Sequence, residues 1–181
     1  MTTTNYLSRP TAAPDPITFE VTAKWLTSKI HLNSSLRIVD VCSSQSAHQT
    51  AFLPCALKLD WEQAFSIGPH LKPCPLVFAA IMSQVGVGDK DTIVLYDEGQ
   101  GYRALNVLRW FRRFGHPRAF VLIGGRTGWL RQGYPLEREP TQFSPSSFTV
   151  CIEGASGRKS SPAGAAEPES MQGGRRSRRA A

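Results

Sequence analysis

Two short apolar runs, each followed by glycines and then by a helical pattern, constrain the fold of this chain most strongly. The runs are Thr92–Tyr96 and Ala119–Ile123. A continuous apolar run of this length is typical of a strand buried on both faces, as in a parallel sheet. Apolar residues recur at helical spacing between Ala104 and Phe114, and Gly115 then ends the pattern. This alternation predicts an α/β fold with a mostly parallel sheet flanked by helices.

Weaker patterns of the same kind predict the remaining elements. Two further strands are expected at Leu36–Val41 and Leu57–Asp60, and three further helices at 22–30, 73–85 and 127–132. Thr22 has the side chain of an N-cap, and a proline in the first turn of the helix at 73–85 is compatible with helix geometry.

Composition divides the chain into a body and two extensions. We expect a disordered segment at 1–16, one domain at 17–150 and a low-complexity basic tail at 151–181. From residue 154 onwards there are six Lys or Arg and two acids, which is +4 of the net charge of +7. Because the basic excess lies mainly in the tail, nucleic acid is not an expected partner of the body.

The expected compartment and cofactors follow from absent patterns. No run of 18 apolar residues and no secretory signal occurs, so no membrane partner is expected and the cytoplasm is favoured. The N-terminus is rich in Thr, Ala and Ser, a weak transit signal that leaves the mitochondrion open. Cys42, Cys55, Cys74 and Cys151 lack the paired spacing of a zinc site, so reduced thiols and no metal are expected.

The loop Asp97–Arg103 joins the strand at 92–96 to the following helix and is the candidate site. Glycine-bearing loops at this position, together with a helix N-terminus, bind anions through backbone amides. Gly99, Gly101, Tyr102 and Arg103 are therefore candidate binding residues. The carboxylate of Asp97 would occupy the anion site itself or cap the helix.

Several segments outside this loop resemble the rhodanese family. These are Leu36–Val41, Leu53–Ala56, Leu59–Asp60, Val85–Gly88, Val94–Asp97, Arg109–His116, Val121–Gly125, Gly128–Trp129 and Gly133–Leu136. Over roughly 18–150 the chain is similar to the N-terminal domain of two-domain thiosulfate and 3-mercaptopyruvate sulfurtransferases. The resemblance implies a five-stranded sheet. It also implies transfer of a sulfane sulfur to a thiophilic acceptor through a cysteine persulfide, without metal or other cofactor.

The resemblance further implies that Asp97 stands at the family's nucleophile position, because loops of this shape carry cysteine first and arginine last. In two-domain members the catalytic cysteine lies in the C-terminal domain, and the N-terminal copy commonly has Asp here. We therefore expect no catalytic residue in this chain and no activity of the domain alone. Expected partners are small sulfur-containing anions, a second rhodanese domain, or a second copy of the chain.

Three other residues or segments carry expectations. His70 resembles a histidine that this domain contributes towards the substrate cleft, although an exposed loop histidine is the alternative. The segment 51–56 lacks both glycines of the family's usual turn, so other backbone angles are expected there. His116 follows the end of a helix, where a charged imidazole would be favourable.

The same residues suggest three other interpretations. Cys42 ends a strand and could act as a surrogate nucleophile, but no anion-binding loop surrounds it in sequence, which favours a buried thiol. A regulatory or anion-binding module is the alternative to a sulfurtransferase. A cysteine-phosphatase relative is disfavoured by the segment Gly124–Trp129.

Overall fold

The parallel sheet expected from the sequence is present in the computed structural model, which describes residues 19–43, 51–66 and 71–151. Within those ranges the elements follow in the order β1 (Glu20–Val21), α1 (Ala23–Lys29), β2 (Leu36–Asp40), β3 (Ala56–Lys58), α2 (Trp61–Phe65), α3 (Pro75–Gln84), β4 (Thr92–Tyr96), α4 (Tyr102–Arg113), β5 (Ala119–Leu122) and α5 (Gly125–Arg131). The strand order is β1-β5-β4-β2-β3, and each pairing is parallel. The domain boundaries drawn from composition remain a prediction.

The central strands are buried on both faces, as their continuous apolar runs predict. On one face Ile93 and Leu95 pack with residues of α2, α3 and α4, including Phe78 and Phe111. On the other face the alternate residues of the same strands pack against α1 and α5. Because all strands run in one direction, their carboxyl ends form one edge, and the loop after β4 lies there.

Local signals explain where individual helices begin. The Thr22 hydroxyl accepts a hydrogen bond from the amide of Trp25 at 3.2 Å, as an N-cap does. Asp60 caps α2 in the same way, through Gln63 at 3.1 Å. Pro75 stands in the first turn of α3, where its missing amide hydrogen costs nothing. None of the helices in the described part is long and apolar enough to cross a membrane.

Candidate functional site

The candidate site is the loop between β4 and α4, which we call the cradle loop (Asp97–Arg103). β4 places Asp97 at the carboxyl edge of the sheet, where the residue is only 3% exposed. Gly101 is the N-cap of α4 and has a φ of 75°, a left-handed conformation that favours glycine. The backbone of the loop therefore turns back over the side chain of Asp97, its first residue.

The carboxylate of Asp97 accepts hydrogen bonds from the backbone amides of the loop and of the first turn of α4. One oxygen accepts from Gly99 and Gly101, each at 2.9 Å. The other accepts from Arg103 at 3.1 Å and, in a long contact, from Ala104 at 3.5 Å. Because the Asp97 carboxylate already accepts from these amides, they are not available to an external anion. Asp97 thus accepts amides at the start of α4, as a capping side chain would, but the expectation that it is the N-cap residue was wrong, because Gly101 holds that position.

The guanidinium of Arg103, which the sequence assigned to anion binding, pairs with a carboxylate of α2. Arg103 Nη1 lies 2.6 Å from Glu62 Oε1. Both side chains are partly exposed, so the pair contributes little to stability, but it directs the guanidinium and compensates its charge. Sequence reasoning missed Glu62 because it lies 41 residues away on a five-residue helix.

The cradle loop forms one wall of an open cleft of about 600 Å³. Its lining residues are Asp97, Glu98, Gly99, Gln100, Tyr102, Arg103, Gly124, Thr127 and Arg131. Four of the five predicted binding residues thus lie at this loop, with Tyr102 65% exposed at the start of α4. The fifth, His70, lies outside the described residues.

The start of α5 forms the opposite wall and packs directly on the cradle loop. The amide of Arg126 donates to the backbone oxygen of Asp97 at 2.9 Å, and that of Thr127 donates to Glu98 at 3.0 Å. A β-carbon on Gly125 would collide with the Asp97 carbonyl and with Gly99, and its φ is 53°. Glycine is therefore required at position 125 for this close approach.

A buried polar cluster lies next to the cradle loop, between β2, β4 and α5. Arg126 Nη2 lies 2.9 Å from Asp40 Oδ2, and both side chains are almost inaccessible to solvent. The hydroxyl of Tyr96 donates to the same oxygen at 2.9 Å, while the amide of Cys42 donates to Asp40 Oδ1 at 2.8 Å. Because the ion pair and these hydrogen bonds join side chains of β2, β4 and α5, the cluster holds β2 and α5 beside the loop.

Cys42 belongs to this cluster, and an arginine distant in sequence lies next to it, although no anion-binding loop surrounds it in sequence. Arg126 Nη2 lies 3.1 Å from Cys42 Sγ. Burial nevertheless raises the pKa of the Cys42 thiol far above its usual range, and the adjacent Asp40 carboxylate raises it further. The thiol stays protonated at neutral pH and is a poor nucleophile, as a plain buried thiol would be.

Two local expectations were also wrong. The turn at 51–56 does keep a left-handed residue, since Cys55 has a φ of 58° although it is not glycine. His116 is not a charged residue at a helix end. It is buried, its Nε2 lies 3.0 Å from the backbone oxygen of Asp91, and burial lowers its pKa.

No group of three His, Cys, Asp or Glu side chains within residues 19–43, 51–66 and 71–151 is arranged to hold a metal ion. Of the charged groups of the cradle loop, the Asp97 carboxylate is bound by amides and the Arg103 guanidinium is bound by the Glu62 carboxylate.

Comparison with known proteins identifies the family to which this architecture belongs. The family model of the rhodanese-like domain matches residues 22–132, so the chain belongs to the rhodanese family. The crystal structure of SseA from Escherichia coli, described as having the rhodanese fold of 3-mercaptopyruvate sulfotransferases, superposes with a TM-score of 0.66 at 26% identity. That match covers 76% of this chain and 56% of the other.

Several curated relatives are sulfurtransferases. Thiosulfate sulfurtransferase of Mus musculus is 29% identical over 147 residues, which covers 73% of this chain and 50% of the relative. Thiosulfate/3-mercaptopyruvate sulfurtransferase 1, mitochondrial, of Arabidopsis thaliana is 37% identical over 94 residues, which covers 50% of this chain and 24% of the relative. The chain therefore spans about half the length, or less, of these relatives.

Proposed function

We propose that this chain is the non-catalytic, N-terminal type of rhodanese domain of a thiosulfate or 3-mercaptopyruvate sulfurtransferase, and that it is inactive alone. The observation that carries the proposal is the Asp97 carboxylate, which lies in the cradle loop and accepts hydrogen bonds from three of its amides. A carboxylate cannot accept a sulfane sulfur, so the position offers no persulfide. Sulfur transfer then requires a cysteine of another domain.

Charge supports the same proposal. Thiosulfate is a dianion, and binding it at the cradle loop would bring it against the Asp97 carboxylate in a site of reduced dielectric. Arg103, the cation of the cradle loop, is engaged by Glu62 at 2.6 Å, and the other cation that lines the cleft, Arg131, lies on α5. Two carboxylates of the chain thus occupy the amides and the guanidinium of the cradle loop itself.

Cys42 does not replace the missing nucleophile. Family sulfur transfer needs a thiolate to attack the outer sulfur of thiosulfate, break the sulfur–sulfur bond and release sulfite. With its pKa raised by burial and by Asp40, the Cys42 thiol remains neutral, and the residue is only 5% exposed. Persulfide formation at Cys42 is therefore not expected.

The test is the formation of thiocyanate from thiosulfate and cyanide by the purified chain, with the mouse thiosulfate sulfurtransferase as the positive control. We expect no thiocyanate above the protein-free rate, for the chain itself and equally for its Cys42→Ala variant. Thiocyanate production that is abolished by Cys42→Ala would contradict the proposal, because it would place a working nucleophile outside the cradle loop.

A further inference from the structure

The segment that follows α5 runs back across the face formed by α2, α3 and α4, and we call it the strap (137–151). Its backbone is held at both ends and in the middle: Thr141 donates to Ala56 at 2.7 Å, Ser146 to Ser83 at 2.8 Å and Cys151 to Phe114 at 2.9 Å. The strap lies beyond the matched family region, which ends at 132.

The body of the domain is shaped to receive the strap. Gly86 has a φ of 83°, and a β-carbon there would collide with Phe143 of the strap. A β-carbon on Gly88 would lie 2.5 Å from the hydroxyl of Ser146. The guanidinium carbon of Arg37 lies 4.4 Å from the ring centre of Phe143, at cation–π distance. Gly86, Gly88 and Arg37 therefore form a surface that is complementary to the strap.

Phe148 anchors the strap in the core. Its ring lies 5.6 Å from that of Phe78 and 5.9 Å from that of Phe111, and its backbone amide donates to the Ser83 hydroxyl at 3.0 Å. The third aromatic neighbour is His116, whose imidazole stacks on Phe148 at 5.4 Å with 30° between the planes. The strap thus covers one face of a buried histidine.

The surroundings of His116 act on its protonation in both directions. Nε2 faces the backbone oxygen of Asp91, and because a carbonyl only accepts, this nitrogen carries the ring hydrogen. Burial, the largest influence, lowers the pKa of His116, and the nearby Arg118 lowers it further. The hydrogen bond to Asp91 and the carboxylates of Asp89 and Asp91 raise the pKa, but the net shift is downward and favours the neutral imidazole.

The charged groups around the histidine also hold the strap. The Asp89 carboxylate accepts from the amide and the hydroxyl of Thr149, at 2.6 and 2.8 Å, and the Asp89 amide donates to Ser147. Arg118 donates to the Asp89 backbone oxygen at 3.0 Å. The Asp91 carboxylate accepts from the Gly88 amide at 2.8 Å and lies 3.4 Å from Arg37 Nε. From α4, Arg112 donates to the Ala119 oxygen instead.

We propose that the strap is an acid-released latch: a proton taken up by His116 opens residues 137–151 from the body while the parallel sheet stays folded. The added proton sits on Nδ1 and creates a cation inside an aromatic pocket. The strap covers one face of the ring and can leave without breaking a pairing within the five-stranded sheet, although the bridge between Glu137 and Phe52 opens with it. Its opening gives the cation access to water.

The direction of the pH dependence follows from proton linkage. With the strap open, the imidazole regains an ordinary pKa of about 6.5, whereas the closed form binds the proton more weakly. The open form therefore holds more protons at mildly acidic pH, and opening is favoured as the pH falls below about 6.5. A single proton limits the change in the opened fraction to about tenfold per pH unit.

The test is hydrogen exchange, followed by mass spectrometry, of peptides from the strap and from β4 between pH 7.5 and 5.5, after correction for the intrinsic pH dependence of exchange. In the wild-type chain the opened fraction of the strap should rise by up to about tenfold per pH unit while β4 stays protected. His116→Gln keeps a donor for Asp91 but cannot titrate, so its profile should be flat. The control, His31→Gln, removes an exposed histidine and should keep the wild-type slope.

Thr149→Val is a control that weakens the strap without changing the titration of His116. It removes the hydroxyl contact with Asp89 and should raise strap exchange at every pH with an unchanged slope. A flat wild-type profile, or a wild-type slope in His116→Gln, would overturn the proposal. If His116→Gln does not fold, the imidazole pKa is measured by NMR in the wild-type chain. A His116 pKa below the ordinary imidazole value of about 6.5 supports the latch, and an equal or higher one overturns it.

Discussion

Replacing Asp97 by alanine removes the acceptor that organises the cradle loop, and its cost can be worked out from the contacts. Three amide bonds of 2.9, 2.9 and 3.1 Å are lost, whereas the contact at 3.5 Å counts for little. With each amide bond worth about 1 kcal/mol net, we expect the free energy of unfolding to fall by about 3 kcal/mol.

The matched control is Asp60→Ala, which removes a helix-capping carboxylate with one amide bond, to Gln63 at 3.1 Å. That loss should cost about 1 kcal/mol. Urea unfolding of the two variants and the wild-type chain at pH 7 measures the difference, and the slope of the transitions should be the same for all three.

Sulfate provides a second readout on the same variants. In Asp97→Ala the vacated amides can receive an oxyanion, and sulfate at tenfold its dissociation constant would restore about 1.4 kcal/mol. Asp60→Ala and the wild-type chain should gain only the general salting-out effect of sulfate, measured against chloride at equal ionic strength. The reasoning is refuted if Asp97→Ala costs no more than Asp60→Ala, or if sulfate stabilises all three proteins equally.

Three further perturbations test other parts of the account. Cys55→Gly should raise the free energy of unfolding by about 0.5–1 kcal/mol. Glycine removes the strain of the left-handed conformation at position 55, and the greater flexibility of the unfolded chain offsets only part of that gain. A lower thermal stability of the variant would contradict this. Arg126→Met should cost about 3–5 kcal/mol by leaving the Asp40 carboxylate unpaired, and adding Asp40→Asn should recover most of it in urea unfolding. Asp97→Cys should take up one sulfur from thiosulfate slowly. The double variant Asp97→Cys/Glu62→Gln should do so faster, because loss of the Glu62 carboxylate releases Arg103. Equal rates of sulfur uptake in the two variants, measured by mass spectrometry, would show that the ion pair has no effect.

The sheet could be predicted from the sequence because its central strands are continuous apolar runs. Thr92–Tyr96 was predicted with the bounds that the structure shows, and the amphipathic pattern of α4 located that helix to within two residues of its start. β1 and α2 were missed. With two and five residues, they are too short to show a period and depend on pairing with β5 and packing against α3.

The candidate site was predicted as a loop but not as a set of contacts. The sequence located Asp97 and Arg103 because they flank the glycines of one turn. It could not pair Arg103 with Glu62, or Arg126 with Asp40, because these partners are 41 and 86 residues apart. One signal was available: an aspartate at the end of the apolar run in β2 indicates a buried carboxylate, which requires a cation somewhere in the fold.

The central claim is that the cradle loop holds a carboxylate where a sulfane-sulfur acceptor would have to be. Intact-mass spectrometry of the wild-type chain after incubation with thiosulfate and desalting tests it most directly, with peptide mapping to locate any adduct. We expect an unchanged mass for the wild-type chain and one added sulfur, at position 97, in Asp97→Cys. A stoichiometric added sulfur on the wild-type chain would contradict it.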